Sequence, residues 1–128
     1  MSSPQLSLVI ASRNPKKLSE FYAFATNGDV TPGFNEDHYL IIHPCGLNLQ
    51  VYRPSLRNPL PDKGRALSLC LQQAPSSNPM STISEWVTSL ISRGAAVFEQ
   101  PKLELFGAES WLIDPERNYF LIVVPRNE

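Results

Sequence analysis

The stretch that most constrains the fold lies near the end of the sequence, at residues 111–124 (WLIDPERNYFLIVV). Two runs of apolar, mostly β-branched or aromatic residues flank the connector 114–118, in which Asp, Pro and Asn are turn formers. This pattern predicts two antiparallel strands joined as a hairpin. Because a hairpin cannot bury either face alone, the preceding residues must supply a helix and further strands that cover it.

Six other segments have the composition of strands: residues 6–12, 30–34, 38–43, 47–52, 66–71 and 95–99. A helix is predicted after the first of these and another after the fifth, and a loop is predicted at 100–107. The order strand, helix and three strands therefore occurs twice, as a repeat of pattern and not of identical residues. The Pro-rich connector 54–64 separates the two copies, so we expect one domain over 1–128 made of modules 1–53 and 65–128.

Both helices carry start signals in the sequence. Asn14 and Pro15 open the first helix, as the N-cap and the first helical residue. For the second helix, Thr82 and Glu85 form the pattern of a capping box, and Gly94 marks the end. Apolar residues at helical spacing predict one buried face for each helix.

Composition narrows the range of partners. The 128 residues carry a formal net charge of −1 with both signs interspersed, so we expect neither nucleic acid nor an anionic membrane as a partner. No window approaches the roughly 18 consecutive apolar residues of a membrane span, and no basic region followed by a long apolar stretch opens the chain. The two cysteines, Cys45 and Cys70, lie in apolar runs and are predicted to be reduced, small buried residues. We therefore expect a cytoplasmic protein.

Alternation along the predicted strands assigns side chains to two faces. One face is aliphatic and is predicted to pack against the helices: Leu8, Ile10, Leu47, Leu49, Val51, Leu67, Leu69 and Leu71. The other face carries smaller or more polar side chains on the earlier strands and apolar side chains on the last strand: Ser7, Val9, Ala11, Asn48, Gln50, Tyr52, Ala66, Ser68, Cys70, Phe120, Ile122 and Val124. The fold class is therefore predicted as α+β, with two βαβββ modules forming a half-open curled sheet barrel around a cavity and both helices outside. In the alternative that stays open, Phe120, Ile122 and Val124 fill the barrel.

Residues 13–22 (RNPKKLSEFY) resemble the helix opening Asp-Pro-x-x-Ser-x-x-Phe-Tyr of the vicinal oxygen chelate superfamily, with Asn14 in place of Asp. This superfamily is also called the glyoxalase, bleomycin-resistance and extradiol dioxygenase fold. Residues 93–95 (RGA), Gly107 and residues 114–118 (DPERN), which are similar to the family's Asp-Pro-Asp-Gly-Asn hairpin, extend the resemblance over nearly the whole chain. It implies lyase, isomerase or dioxygenase chemistry on a bound metal, or sequestration of a small molecule.

The resemblance also indicates where metal ligands would lie. Family members with metal chemistry use four ligands, usually His, Glu or Gln, from the first and last strands of each half. These positions correspond to Ser7, to Gln50 or alternatively Asn48, to Ala66 and to Ile122. Only Gln50 is a suitable ligand, because Ala and Ile have no lone pair and a serine hydroxyl is a poor neutral donor. We therefore expect no metal and no cofactor.

Two roles are possible for His43 and for the pair Gln50 and Tyr52. His38 and His43 are five residues apart on one predicted strand, so they point to opposite faces and cannot share a metal. His43 is either a general base in the cavity or a hydrogen-bonded structural residue. Gln50 and Tyr52 are either a polar anchor for a ligand or members of a cross-strand hydrogen bond. Trp111 is predicted to line the pocket mouth, where an indole offers a stacking face and one donor.

Together these features predict a protein that binds a small organic molecule in its cavity through Ser7, Gln50, Tyr52, Ser68 and Trp111. The alternative is a metal-dependent lyase or dioxygenase-type enzyme with a rearranged site. Members of this superfamily close the barrel within one chain or between two chains. Together with exposed sheet edges, this predicts a homodimer.

Overall fold

The computed structural model describes residues 7–44, 46–57, 59–62 and 67–127. The chain divides into two compact units, Met1–Asp62 and Lys63–Glu128. Within the described residues, each unit contains one helix and one four-stranded sheet. This arrangement confirms the α+β class and the two βαβββ modules predicted from the sequence.

The first unit follows the order β1 (Ser7–Ala11), α1 (Pro15–Thr26), β2 (Asp29–Pro32), β3 (His38–Ile42) and β4 (Asn48–Tyr52). Its strands lie side by side as β1-β4-β3-β2, with β1 parallel to β4 and the other pairs antiparallel. The side chain of Asn14 accepts a hydrogen bond from the N–H of Lys17 at 3.2 Å and caps α1. The predicted start of this helix is confirmed.

The second unit follows the order β5 (Cys70–Gln72), α2 (Pro79–Ile91), β6 (Ala96–Glu104), β7 (Gly107–Ile113) and β8 (Tyr119–Pro125). Its strands lie side by side as β5-β8-β7-β6, and β5 is the parallel neighbour of β8. The strand predicted at 66–71 is thus shorter and later than expected. Ala66 lies outside the described residues.

The start of α2 differs from the prediction. The helix begins at Pro79, and its N-cap is Asn78, whose side chain accepts a hydrogen bond from the N–H of Ser81 at 3.3 Å. Thr82 is already inside the helix, and its hydroxyl lies 2.8 Å from the hydroxyl of Ser76. The predicted capping box at Thr82 is therefore wrong, because an asparagine cap followed by proline starts the helix one turn earlier.

The loop predicted at 100–107 is also wrong. Residues up to Glu104 belong to β6, which pairs with β7 as far as Gly107. The register of this pair shifts between Glu99 and Lys102, and Pro101 lies in that interval. A bulge tolerates a proline because one residue there is left out of the ladder of hydrogen bonds.

The hairpin between β7 and β8 is confirmed, and Asp114 holds its turn. This carboxylate is 3% exposed, and its Oδ1 accepts hydrogen bonds from the N–H groups of Glu116 at 2.8 Å and Asn118 at 2.9 Å. Arg117 adopts a positive φ of 69° within the turn. The turn therefore requires the left-handed region at a residue that is not glycine.

The helix-facing side of the first sheet agrees with the prediction. Leu49 and Val51 are buried, and the register places Ile41 opposite Leu49 on the same face. Helix α1 packs against β3 and β4, and its residues Leu18 and Phe21 are buried. Two outlying leucines of the predicted aliphatic face, Leu47 and Leu67, are instead exposed and lie outside the strands.

The predicted face of the last strand is wrong. Ile122 pairs with Leu71 on one side and with Ser110 on the other, so these three side chains share a face. Phe120, Ile122 and Val124 are all 0% exposed, and α2 packs against β8. They belong to the core under α2, so Phe120, Ile122 and Val124 do not line a face away from the helix.

The cysteines and the helices each bear on a prediction from the sequence. Cys70 is free and exposed, so it is not the small buried residue that was predicted, and Cys45 lies outside the described residues. Among the helices of the described residues, none has the length and apolar character needed to cross a membrane.

Candidate functional site

The candidate site lies on the face of the first sheet that points away from α1. We call it the helix-free face of the first unit, and the register assigns to it Ser7, Val9, Ala11, His38, Leu40, Asn48, Gln50 and Tyr52. Strands β1, β4 and β3 therefore present the predicted residues Ser7, Gln50 and Tyr52 on one surface. Most of this surface is partly exposed, and Val9 is 60% exposed.

A line of hydrogen bonds crosses this face from β3 to β1. The N–H of Phe34 donates to Nδ1 of His38 at 2.6 Å, and Nε2 of His38 lies 3.1 Å from Oε1 of Gln50. Nε2 of Gln50 in turn donates to Oγ of Ser7 at 2.9 Å. We call His38, Gln50 and Ser7 the polar chain. Gln50 therefore does form cross-strand hydrogen bonds, as one of the two interpretations predicted, and it does so at a partly exposed position.

The partners of His38 define its tautomer. A neutral imidazole has one nitrogen that donates and one that accepts. Because a backbone N–H points at Nδ1, the proton lies on Nε2, which then donates to the amide oxygen of Gln50. The amide nitrogen of Gln50 is consequently directed toward Ser7. The orientation of the Gln50 side chain follows from the backbone of Phe34 through the imidazole.

Tyr52 lies on the same face beside the polar chain. It pairs with His38 on β3 and with Ala11 on β1, and its side chain is partly exposed. A phenol ring next to an imidazole and an amide adds an apolar surface with a polar end. Ser7, Gln50 and Tyr52 are therefore brought together, and His38 joins them.

His43 has a different place from His38. It follows β3, and its Nε2 lies 2.6 Å from the carbonyl oxygen of Thr26, the last residue of α1. Its backbone N–H donates to the side chain of Asn48 at 3.0 Å. An imidazole that bonds a terminal helix carbonyl satisfies one of the acceptors left free there. The geometry favours the structural interpretation of His43 over a general base.

The second unit has its own helix-free face, on the side of its sheet away from α2. Trp111 lies there between Glu99 of β6 and Leu121 of β8, and Leu121 pairs with Cys70 of β5. Trp111 is partly exposed. Ser68 precedes β5 and is exposed, so the structure does not place this predicted site residue on a strand.

Among the described residues of this unit, Cys70 has a pKa that departs from its ordinary value. Partial burial raises the pKa of Cys70, and the negative charge of Glu109 raises it further. Glu109 also lies 3.6 Å from Nζ of Lys102. A raised pKa disfavours the thiolate, so the environment does not activate this cysteine as a nucleophile.

Strand pairing also relates positions of the first unit to positions of the second. The N–H of Ser12 donates to the carbonyl of Tyr52, and the N–H of Ser76 donates to that of Pro125, which aligns β4 with β8.

Through the pairing of β1 with β4 and of β5 with β8, Ser7 and Gln50 of the first unit correspond to Cys70 and Val123 of the second. Valine has no lone pair, so this position supplies no ligand either. The family positions at Ala66 and Ile122 stay predictions, and Ala66 lies outside the described residues. Across the described ranges, no group of three or more His, Cys, Asp or Glu residues is arranged to hold a metal ion.

The order of elements and the two sheets define an α+β chain of two βαβββ modules, a fold similar to that of solved glyoxalase/bleomycin resistance proteins. No family model matches the sequence, and no curated protein matches it. Solved structures do match the fold.

Three of these structures illustrate the similarity. A glyoxalase/bleomycin resistance protein/dioxygenase family enzyme from Burkholderia phytofirmans has a TM-score of 0.74 at 15% identity, covering 94% of this chain and 97% of that one. A glyoxalase/bleomycin resistance protein from Albidiferax ferrireducens has a TM-score of 0.65 at 15% identity, covering 93% and 96%. An antibiotic binding protein from a Streptomyces species has a TM-score of 0.64 at 19% identity, covering 98% and 97%. At these identities the likeness shows the fold.

Proposed function

We propose that this protein binds a small organic molecule and that the polar chain on the helix-free face of the first unit contacts it. The observation that carries the proposal is the polar chain, in which hydrogen bonds orient Gln50 at a partly exposed position and Ser7 at an exposed one. Small-molecule sites combine mostly apolar walls with a few fixed polar groups. Val9, Leu40 and Tyr52 supply apolar surface around the polar chain.

The ring of Trp111 supports the same proposal for the second unit. Its neighbours on the helix-free face include Leu121, so an indole and an aliphatic side chain lie side by side. An indole provides a stacking surface for a flat ligand and one N–H donor. Ser68, which is exposed and outside the strands, is the weakest member of the proposed set Ser7, Gln50, Tyr52, Ser68 and Trp111.

The competing function is that of a metal-dependent lyase or dioxygenase. Such a site needs three or four nitrogen or oxygen ligands and an open coordination position. Of the residues at the four corresponding positions, Gln50 has a suitable oxygen, but that oxygen accepts a hydrogen bond from His38. Cys70 has a sulfur donor, but its raised pKa disfavours the thiolate that binds metals. Ser7 is a poor neutral donor and Val123 offers no lone pair. The chemistry of these side chains favours the binding function.

The Streptomyces structure adds support, because that protein is an antibiotic binding protein with the same fold. Binding of a small organic molecule is therefore a function that this fold carries in another chain. For the present chain it is part of the proposal.

Elemental analysis of the purified protein, combined with a thermal-shift screen, tests this proposal. We expect organic ligands to raise the melting temperature and divalent zinc, nickel, iron and manganese to leave it unchanged, since a ligand that binds only the folded state stabilises it. Stoichiometric metal in the purified protein, or stabilisation by a metal alone, would overturn the proposal in favour of the enzyme.

The proposal includes assembly as a cytoplasmic homodimer. Strands β1, β2, β5 and β6 lie at the edges of their sheets and leave backbone groups available for pairing. Light scattering at tens of micromolar protein, a concentration at which an interface of standard size is occupied, should give the mass of two chains. A monomer at that concentration would contradict the assembly without affecting ligand binding.

A further inference from the structure

The polar chain has a direction. Its hydrogen bonds begin at a backbone donor, the N–H of Phe34, and pass through His38 and Gln50 to the hydroxyl of Ser7. At each step the group nearer Phe34 donates and the next group accepts. The amide oxygen of Gln50 is thus engaged as an acceptor, while its nitrogen faces Ser7.

Donor hydrogens remain at the end of this line. Gln50 has two N–H hydrogens, and one is used by Ser7. Because Ser7 accepts that bond on its oxygen, its own O–H proton is left to donate. Within the described part of the chain, neither group has a further partner for these hydrogens. Hydrogen bonds in a row polarise one another, which strengthens the donor at the end.

We infer that the polar chain selects ligands that carry a hydrogen-bond acceptor, such as a ketone, quinone or amide carbonyl oxygen. This inference rests on the proposed function and specifies its ligand class. Gln50 and Ser7 contact the acceptor oxygen of the ligand. His38 is a positioning residue, since it acts by holding the Gln50 amide with its nitrogen outward.

The reverse orientation of Gln50 is disfavoured by the same contacts. Turning the amide over would place its NH₂ group against the Nε2–H of His38, so two donors would face each other. To avoid this, His38 would need its proton on Nδ1, where it would meet the N–H of Phe34. The backbone of Phe34 therefore determines the preference for an acceptor.

Two measurements test the inference, and the first needs no ligand. Nitrogen-15 NMR of the imidazole should show His38 in the Nε2–H tautomer. The Nδ1–H tautomer would overturn the inference whatever ligands the protein binds.

The second measurement uses 9-fluorenone and fluorene, which have the same ring system and differ in one carbonyl oxygen. Equilibrium dialysis should show that the wild-type protein binds fluorenone about two- to tenfold more tightly, the ratio expected for one hydrogen bond. Gln50→Leu and His38→Phe should both bring the ratio to about one. A purely structural role of His38 would weaken both compounds equally and leave the ratio unchanged.

The outcomes separate the inference from the proposed function. Equal binding of both compounds by the wild-type protein would overturn the selection of acceptors while leaving ligand binding intact. Failure of both compounds to bind would count against the proposed function, and the imidazole spectrum would then decide the orientation of Gln50 by itself.

Discussion

Asn14 and Asn78 begin the two helices with the same set of hydrogen bonds. Each side chain accepts from the N–H three residues later, at Lys17 and Ser81. Each asparagine N–H also donates to a serine hydroxyl two residues earlier. Replacing Asn78 by alanine should therefore lower the free energy of unfolding by about 1 kcal/mol, as for other N-caps, in a urea titration.

Glu85→Ala is the matched control for this cap. The side chain is exposed and lies inside α2, where alanine is a favourable residue. We expect its effect on the free energy of unfolding to be within about 0.5 kcal/mol. A larger loss for Glu85→Ala than for Asn78→Ala would show that the helix starts at Thr82 instead.

Arg117 offers a stabilising substitution. Its φ of 69° lies in the left-handed region, which costs a residue with a Cβ roughly 1 kcal/mol. Arg117→Gly should raise the free energy of unfolding by about that amount, as measured by thermal or urea denaturation. Glu116→Gly, at the preceding position without a positive φ, should lower it. Destabilisation by Arg117→Gly would mean that contacts of the arginine side chain stabilise the fold by more than the positive φ costs.

The two faces of β8 can be distinguished by truncation. Ile122 is fully buried on the side of α2, whereas its neighbour Leu121 is partly exposed on the other face. Ile122→Ala should cost about 2–5 kcal/mol of unfolding free energy because it leaves a cavity in the core. Leu121→Ala should cost clearly less. Equal losses, or the reverse order, would contradict the register of β5, β8 and β7.

The reactivity of Cys70 should respond to Glu109. Burial and the Glu109 charge both raise the pKa of Cys70, so a smaller fraction is thiolate at pH 8 than for a free cysteine. Removing the charge with Glu109→Gln lowers the pKa and should speed alkylation by iodoacetamide, measured by mass spectrometry of the Cys70 peptide. Equal alkylation rates for the wild-type protein and Glu109→Gln across pH 7–9 would show that the charge of Glu109 does not affect the pKa of the thiol.

The strands of the second unit were harder to predict than those of the first. The run 119–124 is apolar at every position, so alternation cannot assign its faces, and pairing with Leu71 and Ser110 decides them. Pro101 has the signature of a loop but lies at a register shift inside β6. The start of α2 did carry a signal, since Asn78-Pro79 repeats the Asn14-Pro15 pair that correctly predicted α1.

For the candidate site, alternation within a strand could be predicted from the sequence, but pairing between strands could not. Alternation placed Ser7, Gln50 and Tyr52 on one face, and the register of β1 and β4 confirms this. The part played by His38 was missed, because its bond to Gln50 depends on the register of β3 and β4. The sequence pattern contains no direct information about that register.

Gln50 is the central residue of the polar chain, since it bonds both His38 and Ser7. It is partly exposed, so Gln50→Leu should change the melting temperature only slightly, and Gln100→Leu, an exposed glutamine on β6, is the matched control.

The most direct test of small-molecule binding at the polar chain is the ligand-induced rise in melting temperature for these two variants and the wild-type protein. If the ligand binds at the polar chain, it stabilises the wild-type protein and Gln100→Leu but no longer stabilises Gln50→Leu. Undiminished stabilisation of Gln50→Leu by the same ligand would contradict binding at the polar chain.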